Sequence, residues 1–141
     1  MHIKIKKRLL NNKGYAHITS IIGFLILMMC LACFMAVSPV FITKFSLDNY
    51  ANELIREAEI EGIVGTPTTA RLDRLNDLKG LYPTVAWKVN GAAVSGTSNK
   101  KVNLGNEVSV TVSKTVTVNF CGEWIFTLES TASGLSEVYW K

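Results

Sequence analysis

The chain has 141 residues, of which 15 are lysine or arginine and 11 are aspartate or glutamate, and its formal net charge is +4. That length allows one domain of ordinary size. Five basic residues precede a long apolar segment, namely Lys4, Lys6, Lys7, Arg8 and Lys13, and no acidic residue lies among them. A short basic cluster of this kind is typical of the cytoplasmic flank of a membrane helix. It is unlike the extended basic surface of a nucleic-acid-binding protein, so no direct nucleic acid binding is expected.

The apolar segment is long enough to cross a membrane. A helix needs about 20 apolar residues to span the hydrocarbon, and residues 18–37 supply them without an ionised side chain. By the positive-inside rule, residues 1–13 are predicted to be cytoplasmic and the chain after Thr43 extracytoplasmic, with a single span in the cell membrane. The predicted regions are a basic leader (1–14), a transmembrane helix (15–43), an amphipathic helix with a short second helix (44–81) and an extracytoplasmic antiparallel β domain (82–141).

Two other interpretations of the apolar segment stay open. A cleaved secretory signal has the same basic start and apolar core, but the best small-residue site, Ala36-Val37-Ser38, puts Pro39 directly after the cut. A lipoprotein signal would use Cys33, yet the residues that follow are apolar and form no polar tether. Retention of the helix is therefore the prediction, and a secreted soluble domain is the alternative.

Beyond the apolar segment the pattern stays helical but becomes one-sided. Pro39 removes a backbone hydrogen bond, so a bend is expected there. Apolar residues then recur at helical spacing. This stripe consists of Leu47, Ala51, Leu54, Ile55, Ala58 and Gly62. The acidic residues on the other faces lack the spacing of a calcium loop and are interpreted as a solvated surface.

The segment GIVGTPTT ends this helix, because Gly62 and Gly65 can adopt positive φ and Pro67 cannot continue a helix. Thr68 or Thr69 is expected to cap a short second helix over ARLDRLNDLKG, which presents Leu72, Leu75 and Leu78 on neighbouring turns.

From Tyr82 the apolar period changes to two, which indicates strands. The predicted strands are TVAWKVN, a valine-rich run from Glu107 to Phe120, and a last strand from Trp124 to Trp140. Lys114 interrupts the valine face and suggests a bulge or an exposed strand middle. The segment NGAAVSGTSNKKVNLGN is predicted to be a mobile exposed loop. The predicted fold is α+β, with an antiparallel sheet of about three to four strands packed on the stripe of the long helix.

The predicted layout consists of a basic leader, a glycine, an unbroken apolar helix that becomes amphipathic, and a sheet folded onto this helix. This layout resembles that of type IV pilin-like proteins, in particular the TadE-like subunits of tight-adherence pili. The run SLDNYANELIREAEIEGIVG and the ending ASGLSEVYWK look like a family of uncharacterised small membrane proteins of Gram-positive bacteria, often within conjugative elements. The resemblance implies the lipid bilayer and copies of the chain, or other pilin-like subunits, as partners.

In pilins a dedicated peptidase cuts after a glycine that follows the leader, and a glutamate five residues into the mature chain pairs with a neighbour's amino terminus. Gly14 matches this glycine, Tyr15 follows it, and the glutamate position falls on Thr19. The resemblance thus implies a prepilin-type peptidase as a partner, whereas a threonine cannot compensate a buried ammonium group during assembly. The residues assigned to the assembly helix are Thr19, Pro39, Leu47, Ala51, Leu54, Ile55 and Ala58.

Little in the sequence points to chemistry. His2 and His17 cannot form a metal cluster with one another, and there is no nucleophile motif or phosphate loop, so no enzyme activity, metal or cofactor is expected. Cys30 and Cys33 are interpreted as packing residues of the apolar helix, and Cys121 as a buried thiol or a bridge to another subunit.

The aromatic residues Tyr82, Trp87, Trp124, Tyr139 and Trp140 are expected to fill the core, and any that are exposed together would mark a docking patch. The predicted function is a structural or accessory subunit of a pilus-like or conjugation/secretion-type surface apparatus. The alternative is a membrane-tethered binding module that acts as a monomer.

Overall fold

A computed structural model describes residues 12–119 and 122–140, with side chains from residue 17 onward. Most of the predicted leader, including its first four basic residues, lies outside this range, as do Phe120 and Cys121. The chain divides into two compact units at the bond between Ser38 and Pro39. Each unit is described by itself below.

The first helix, α1, extends from Asn12 to Glu61 and therefore belongs to both units. It is helical through Pro39, and the bend expected there stays a prediction. In the first unit the helix is apolar on all sides. Within the second unit it is amphipathic, as predicted.

In the second unit, α1 provides the centre of the hydrophobic core. The predicted stripe is confirmed, because Leu47, Leu54 and Ala58 are fully buried and Ala51 and Ile55 nearly so. These side chains pack against apolar residues of the second helix and the strands. The main contributors from those elements are Val64, Leu75, Trp87, Val89, Val102, Val108, Val110 and Val112. The long helix therefore covers the dry face of the sheet, as the sequence pattern predicts.

The second helix, α2, extends from Thr66 to Lys79 and follows the short strand β1, Ile63–Val64. It begins earlier than predicted, because Pro67 lies within its first turn, where its missing N–H is not needed. Thr68 still acts as a capping residue, since its Oγ1 accepts a hydrogen bond from the Gly65 N–H at 3.0 Å. Leu75 is buried, but Leu78 is exposed.

Five further strands follow α2: β2 (Thr84–Val89), β3 (Ala92–Val94), β4 (Lys100–Lys101), β5 (Glu107–Asn119) and β6 (Glu123–Leu135). A four-stranded antiparallel sheet has the order β3-β2-β5-β6, and β1 and β4 form a separate two-stranded antiparallel sheet. The predicted α+β class and antiparallel pairing are therefore confirmed.

Three details of the predicted β region are wrong. The pairing of β5 with β6 is continuous through Lys114, which lies opposite Leu128, so of the two alternatives for Lys114 the bulge is wrong and the exposed strand middle stays a prediction. The last strand ends at Leu135, and residues 136–140 have no strand structure. The predicted mobile loop, residues 90–106, contains β3, β4 and the buried Val102.

Candidate functional site

The residues assigned to the assembly helix fall into two groups. Thr19 lies on the exposed part of α1, and Gly14 and Tyr15 lie in its first turns, where only the backbone is described. The residues from Leu47 to Ala58 are buried against the chain's own sheet and second helix. They support folding of the domain, so these buried side chains are not available for contacts with another subunit.

The first unit presents a continuous apolar surface. From residue 18 to residue 37, α1 carries no Asp, Glu, Lys or Arg, and its large side chains are exposed, with Phe34 at 73% and Ile21 at 66%. Burial of one such side chain is worth about 1.5–3 kcal/mol, so leaving this surface in water costs on the order of tens of kcal/mol. Among the described residues, α1 is the one helix long and apolar enough to cross a membrane.

The second unit has an apolar surface of its own at one end of the sheet. β2 pairs with β5 only as far as Ser113, whereas β5 and β6 stay paired with each other to Asn119 and Glu123. Residues 114–119 and 123–128 therefore form a two-stranded extension, here called the β5–β6 ribbon. Three of its large side chains are exposed, at 59% for Trp124, 66% for Ile125 and 43% for Phe126.

A polar cluster attaches the base of this ribbon to α1. Lys44 donates from Nζ to the Glu129 carbonyl at 2.6 Å and pairs with the Asp48 carboxylate at 2.9 Å. The Ser130 hydroxyl donates to the same carboxylate at 2.6 Å. These hydrogen bonds, first from Ser130 and then from Lys44, hold the pKa of Asp48 below its usual value. The cluster therefore fixes where β6 meets the helix.

The C-terminal segment closes the opposite end of the domain. Trp140 donates from Nε1 to the Gly62 carbonyl at 3.0 Å, and Lys101 places Nζ 4.5 Å from the centre of the Trp140 ring. The backbone N–H of Glu137 donates to the Glu59 carbonyl at 3.1 Å. The ending ASGLSEVYWK thus contacts the end of SLDNYANELIREAEIEGIVG. The two segments that carry the resemblance are joined in space by packing.

Three further features bear on chemistry. Within the part of the chain that the structure describes, no three His, Cys, Asp or Glu side chains are grouped to hold a metal ion. Cys30 is exposed and Cys33 half-buried, both as free thiols, and Cys121 lies outside that part. A cavity of about 240 Å³ lies between α1, α2 and β2. Leu54, Leu72, Val85 and Trp87 provide its apolar wall, and Thr68 and Thr97 lie beside them.

The exposed ribbon is the feature that the sequence pattern located least well. Trp124 was expected in the core, and the alternation of apolar residues does continue through it. Alternation identifies a strand face but not how far the covering elements extend along it. Trp87 is buried as expected, whereas Tyr82 and Tyr139 are exposed.

Comparison with known proteins gives one family. The model of a family described as a domain of unknown function, DUF4320, matches residues 24–141. No curated protein and no solved structure is significantly similar to the chain.

Proposed function

The chain belongs to the DUF4320 family, and we propose that it is a non-enzymatic, pilin-like structural or accessory subunit of a pilus-like or conjugation/secretion-type surface apparatus. The observation that supports this proposal is that the two parts of α1 have different environments. Its first part exposes apolar side chains all round, and its last part is the centre of a folded domain. An exposed apolar helix of this length needs either lipid or other apolar helices around it.

The proposed orientation places the N-terminus in the cytoplasm and the α+β domain outside. It is supported by the excess of basic residues before the apolar segment, because five precede it whereas the segment from Lys44 to Gly62 that follows it contains only Lys44 and Arg56. The proposed partners are the bilayer, copies of the chain or related subunits, and a prepilin-type peptidase acting after Gly14.

Mass spectrometry of the mature N-terminus in membranes tests the first part of this proposal. A chain that begins at Tyr15 supports peptidase processing and a pilin-like role. An intact leader in a membrane-bound chain supports anchoring without processing. A chain that begins after Val37 would mean that the apolar segment is a cleaved signal, and it would overturn the proposal.

Assembly is tested by oxidative crosslinking in whole membranes. In a Cys121→Ser variant, Cys30 and Cys33 remain in the apolar segment, so subunits that pack through it should give dimers and larger crosslinked species. The matched control replaces all three native cysteines by serine and carries Leu104→Cys, at an exposed position of the domain. Ladders from the helix but not from the control support assembly, and electron microscopy of the native material would show whether a filament forms.

The alternative function, a tethered binding module, is favoured by one observation. The cavity between α1, α2 and β2 combines an apolar wall with threonine hydroxyls, which suits a small ligand with a few polar groups. A chain that stays monomeric in the crosslinking experiment, at native expression levels, would favour this module over the assembled subunit.

A further inference from the structure

The β5–β6 ribbon has a basic residue, Lys114, at its base, and beyond this residue it is rich in apolar residues. From residue 115 to residue 128 the sequence contains one ionisable group that is charged at neutral pH, Glu123, and no lysine or arginine. A surface ribbon in water usually carries charged residues on its open edges, which prevents association. The composition of this ribbon indicates that water does not surround it in the working protein.

The direction of the ribbon follows from three contacts between β6 and α1. Glu129 contacts Lys44, Ser130 contacts Asp48, and Gly134 lies directly against the Glu59 carboxylate, which leaves no room for a Cβ there. Residue numbers rise together along both elements, so β6 runs in the same direction as α1. The ribbon therefore extends from its base towards the Pro39 end of the domain.

The ribbon is long enough to reach that end. Glu123 lies seven residues before Ser130, which is about 23 Å of extended strand. Pro39 lies nine residues before Asp48, which is about 14 Å of helix. The ribbon is thus longer than the stretch of helix between Asp48 and Pro39, long enough to reach the level of Pro39, where the chain leaves the domain and continues into the apolar segment.

The apolar side chains of the tip are divided unequally between its two faces, because Ile125 is the one large apolar residue on the second face, among threonine, asparagine and glutamate. Trp124 lies opposite Val118 and Phe126 opposite Val116, on the face that continues the core. Ile125 lies on the other face and is exposed. A contact with one neighbouring protein surface would cover a single face of a ribbon, whereas a lipid environment contacts both.

We propose that the tip of the β5–β6 ribbon enters the interfacial region of the same bilayer that holds the apolar segment, and so forms a second membrane contact of the domain. This inference rests on the proposed membrane anchorage. Tryptophan is suited to that depth, because its ring is apolar and its N–H can still reach polar groups. The ribbon has open edges whose backbone groups need hydrogen bonds, so its insertion is limited to the headgroup and upper acyl region.

The proposed contact is driven by apolar burial. Lys114 lies at the base of the ribbon and is half-buried, and no lysine or arginine lies between residues 115 and 128, so the tip has no basic group to attract anionic lipids. We expect its insertion to be the same in phosphatidylcholine and in mixed anionic vesicles, and to change little between low and high salt.

The test uses the full-length chain in phosphatidylcholine vesicles with lipids brominated either near the headgroup or deep in the acyl chain. Bromine quenches only the tryptophans that lie close to it. The chain has three tryptophans, so the contribution of Trp124 is the difference between the native chain and Trp124→Phe. We expect the shallow-brominated lipid to quench the native chain, and most of that quenching to be lost in the variant.

A matched control places the probe at the other end of the domain. In the Trp124→Phe background, Tyr139→Trp adds an exposed tryptophan beside Trp140, which contacts Gly62 at the end of α1. This residue should be quenched by aqueous iodide and not by brominated lipid. Trp124 should instead be quenched by brominated lipid and not by aqueous iodide.

Two results would overturn the inference. If iodide quenches Trp124 and brominated lipid does not, the ribbon lies in water. If neither quencher reaches Trp124, a second copy or another protein covers it. Alkaline carbonate extraction of the same vesicles tests the membrane anchorage separately from the ribbon contact, so a failure of the ribbon inference can be distinguished from a failure of the proposed function. A chain that stays with the lipid keeps its anchorage even if the ribbon inference is wrong, whereas a chain that is extracted contradicts the anchorage itself.

Discussion

Tyr50 is a core residue that lies outside the predicted apolar stripe. It is fully buried, and its hydroxyl donates to the Leu75 carbonyl of α2 at 2.8 Å. Burial raises the pKa of its phenol, because the charged form would lose its hydration. A tyrosine on a helix surface can be a rim residue or a core residue, and the sequence alone does not show whether a partner carbonyl is within reach. This hydrogen bond joins the two helices.

We predict that Tyr50→Phe lowers the free energy of unfolding by about 1 kcal/mol, the usual net contribution of one buried hydrogen bond. Denaturant unfolding of the full chain in mild detergent, followed by near-UV circular dichroism, measures this change. Tyr139→Phe, at an exposed position, is the matched control and should leave stability within about 0.5 kcal/mol of the native value. Equal effects of the two substitutions would contradict the role given to the Tyr50 hydroxyl.

Asp48 gives the domain a dependence on acid. Its pKa is lowered from the ordinary value of 3.8 by hydrogen bonds from Ser130 and Lys44. A carboxyl with a depressed pKa stabilises the folded state above its unfolded pKa, and that stabilisation is lost as the pH falls through the folded pKa. The difference in melting temperature between the native chain and Asp48→Asn should therefore be constant near neutral pH and close below about pH 4.

Ser130→Ala sharpens this measurement, since it removes the largest cause of the shift. The acid-induced loss of stability should then be smaller than in the native chain and should be complete at a higher pH. A melting difference between the native chain and Asp48→Asn that stays constant down to pH 2 would show that the carboxylate does not contribute through its charge.

At the scale of elements, the long periodic segments were predictable and the short ones were not. The stripe from Leu47 to Ala58 and the valines of β5 repeat over enough residues for a helix and a strand to be recognised. β1 and β4 have two residues each, too few to show a period, and they exist because they pair with each other. The pattern of Val138 and Trp140 indicated a strand, but Trp140 instead bonds to Gly62.

The fit between Gly62 and the C-terminal segment can be tested with two glycines. Both Gly62 and Gly80 have positive φ, at 61° and 64°, so alanine costs about 1 kcal/mol of backbone strain at either position. A Cβ on Gly62 would also lie 2.6 Å from the Val138 Cβ and 2.9 Å from the Trp140 Nε1, whereas a Cβ on Gly80 meets no atom within 4 Å.

We therefore expect Gly62→Ala to destabilise the domain more than Gly80→Ala, by about 1–3 kcal/mol, the usual cost of overpacking. Denaturant unfolding measures both variants. Gly62→Ala should also make the last residues of the chain sensitive to carboxypeptidase, because it displaces Trp140. Equal destabilisation by the two substitutions would mean that the C-terminal segment can move away from residue 62 without a loss in the free energy of unfolding.

At the scale of the whole molecule, the apolar segment and the domain core are built from different residues. Of the described hydrophobic residues, those that are buried all lie at or after Leu47, and the exposed apolar side chains dominate before it. The sequence predicted this division well, because a change from all-round to one-sided apolarity is visible along one helix. It could not show what surrounds the exposed faces, since that depends on molecules outside the chain.

We predict that a chain beginning at Pro39 folds with a melting temperature close to that of the full chain in the same mild detergent, since residues 17–38 contribute no buried hydrophobic residue to the core. It should move from the membrane fraction into the carbonate-extractable fraction, because one ribbon buries too little apolar surface to replace a transmembrane helix. An unfolded product would show that the apolar segment is needed for folding and not only for anchorage.

The uneven pairing of β5 has a dynamic consequence. From Val108 to Ser113 this strand has a neighbour on each side, but from Lys114 to Asn119 it has only β6. Opening the outer stretch breaks one ladder, whereas opening the inner stretch disrupts the centre of the sheet, so their amide protons should exchange with deuterium at very different rates. In detergent, peptides from the outer stretch should exchange fastest within β5. The sheet thus has a stable inner part, which holds the domain together, and a more flexible outer part, whose orientation relative to the inner part can change on contact with another surface.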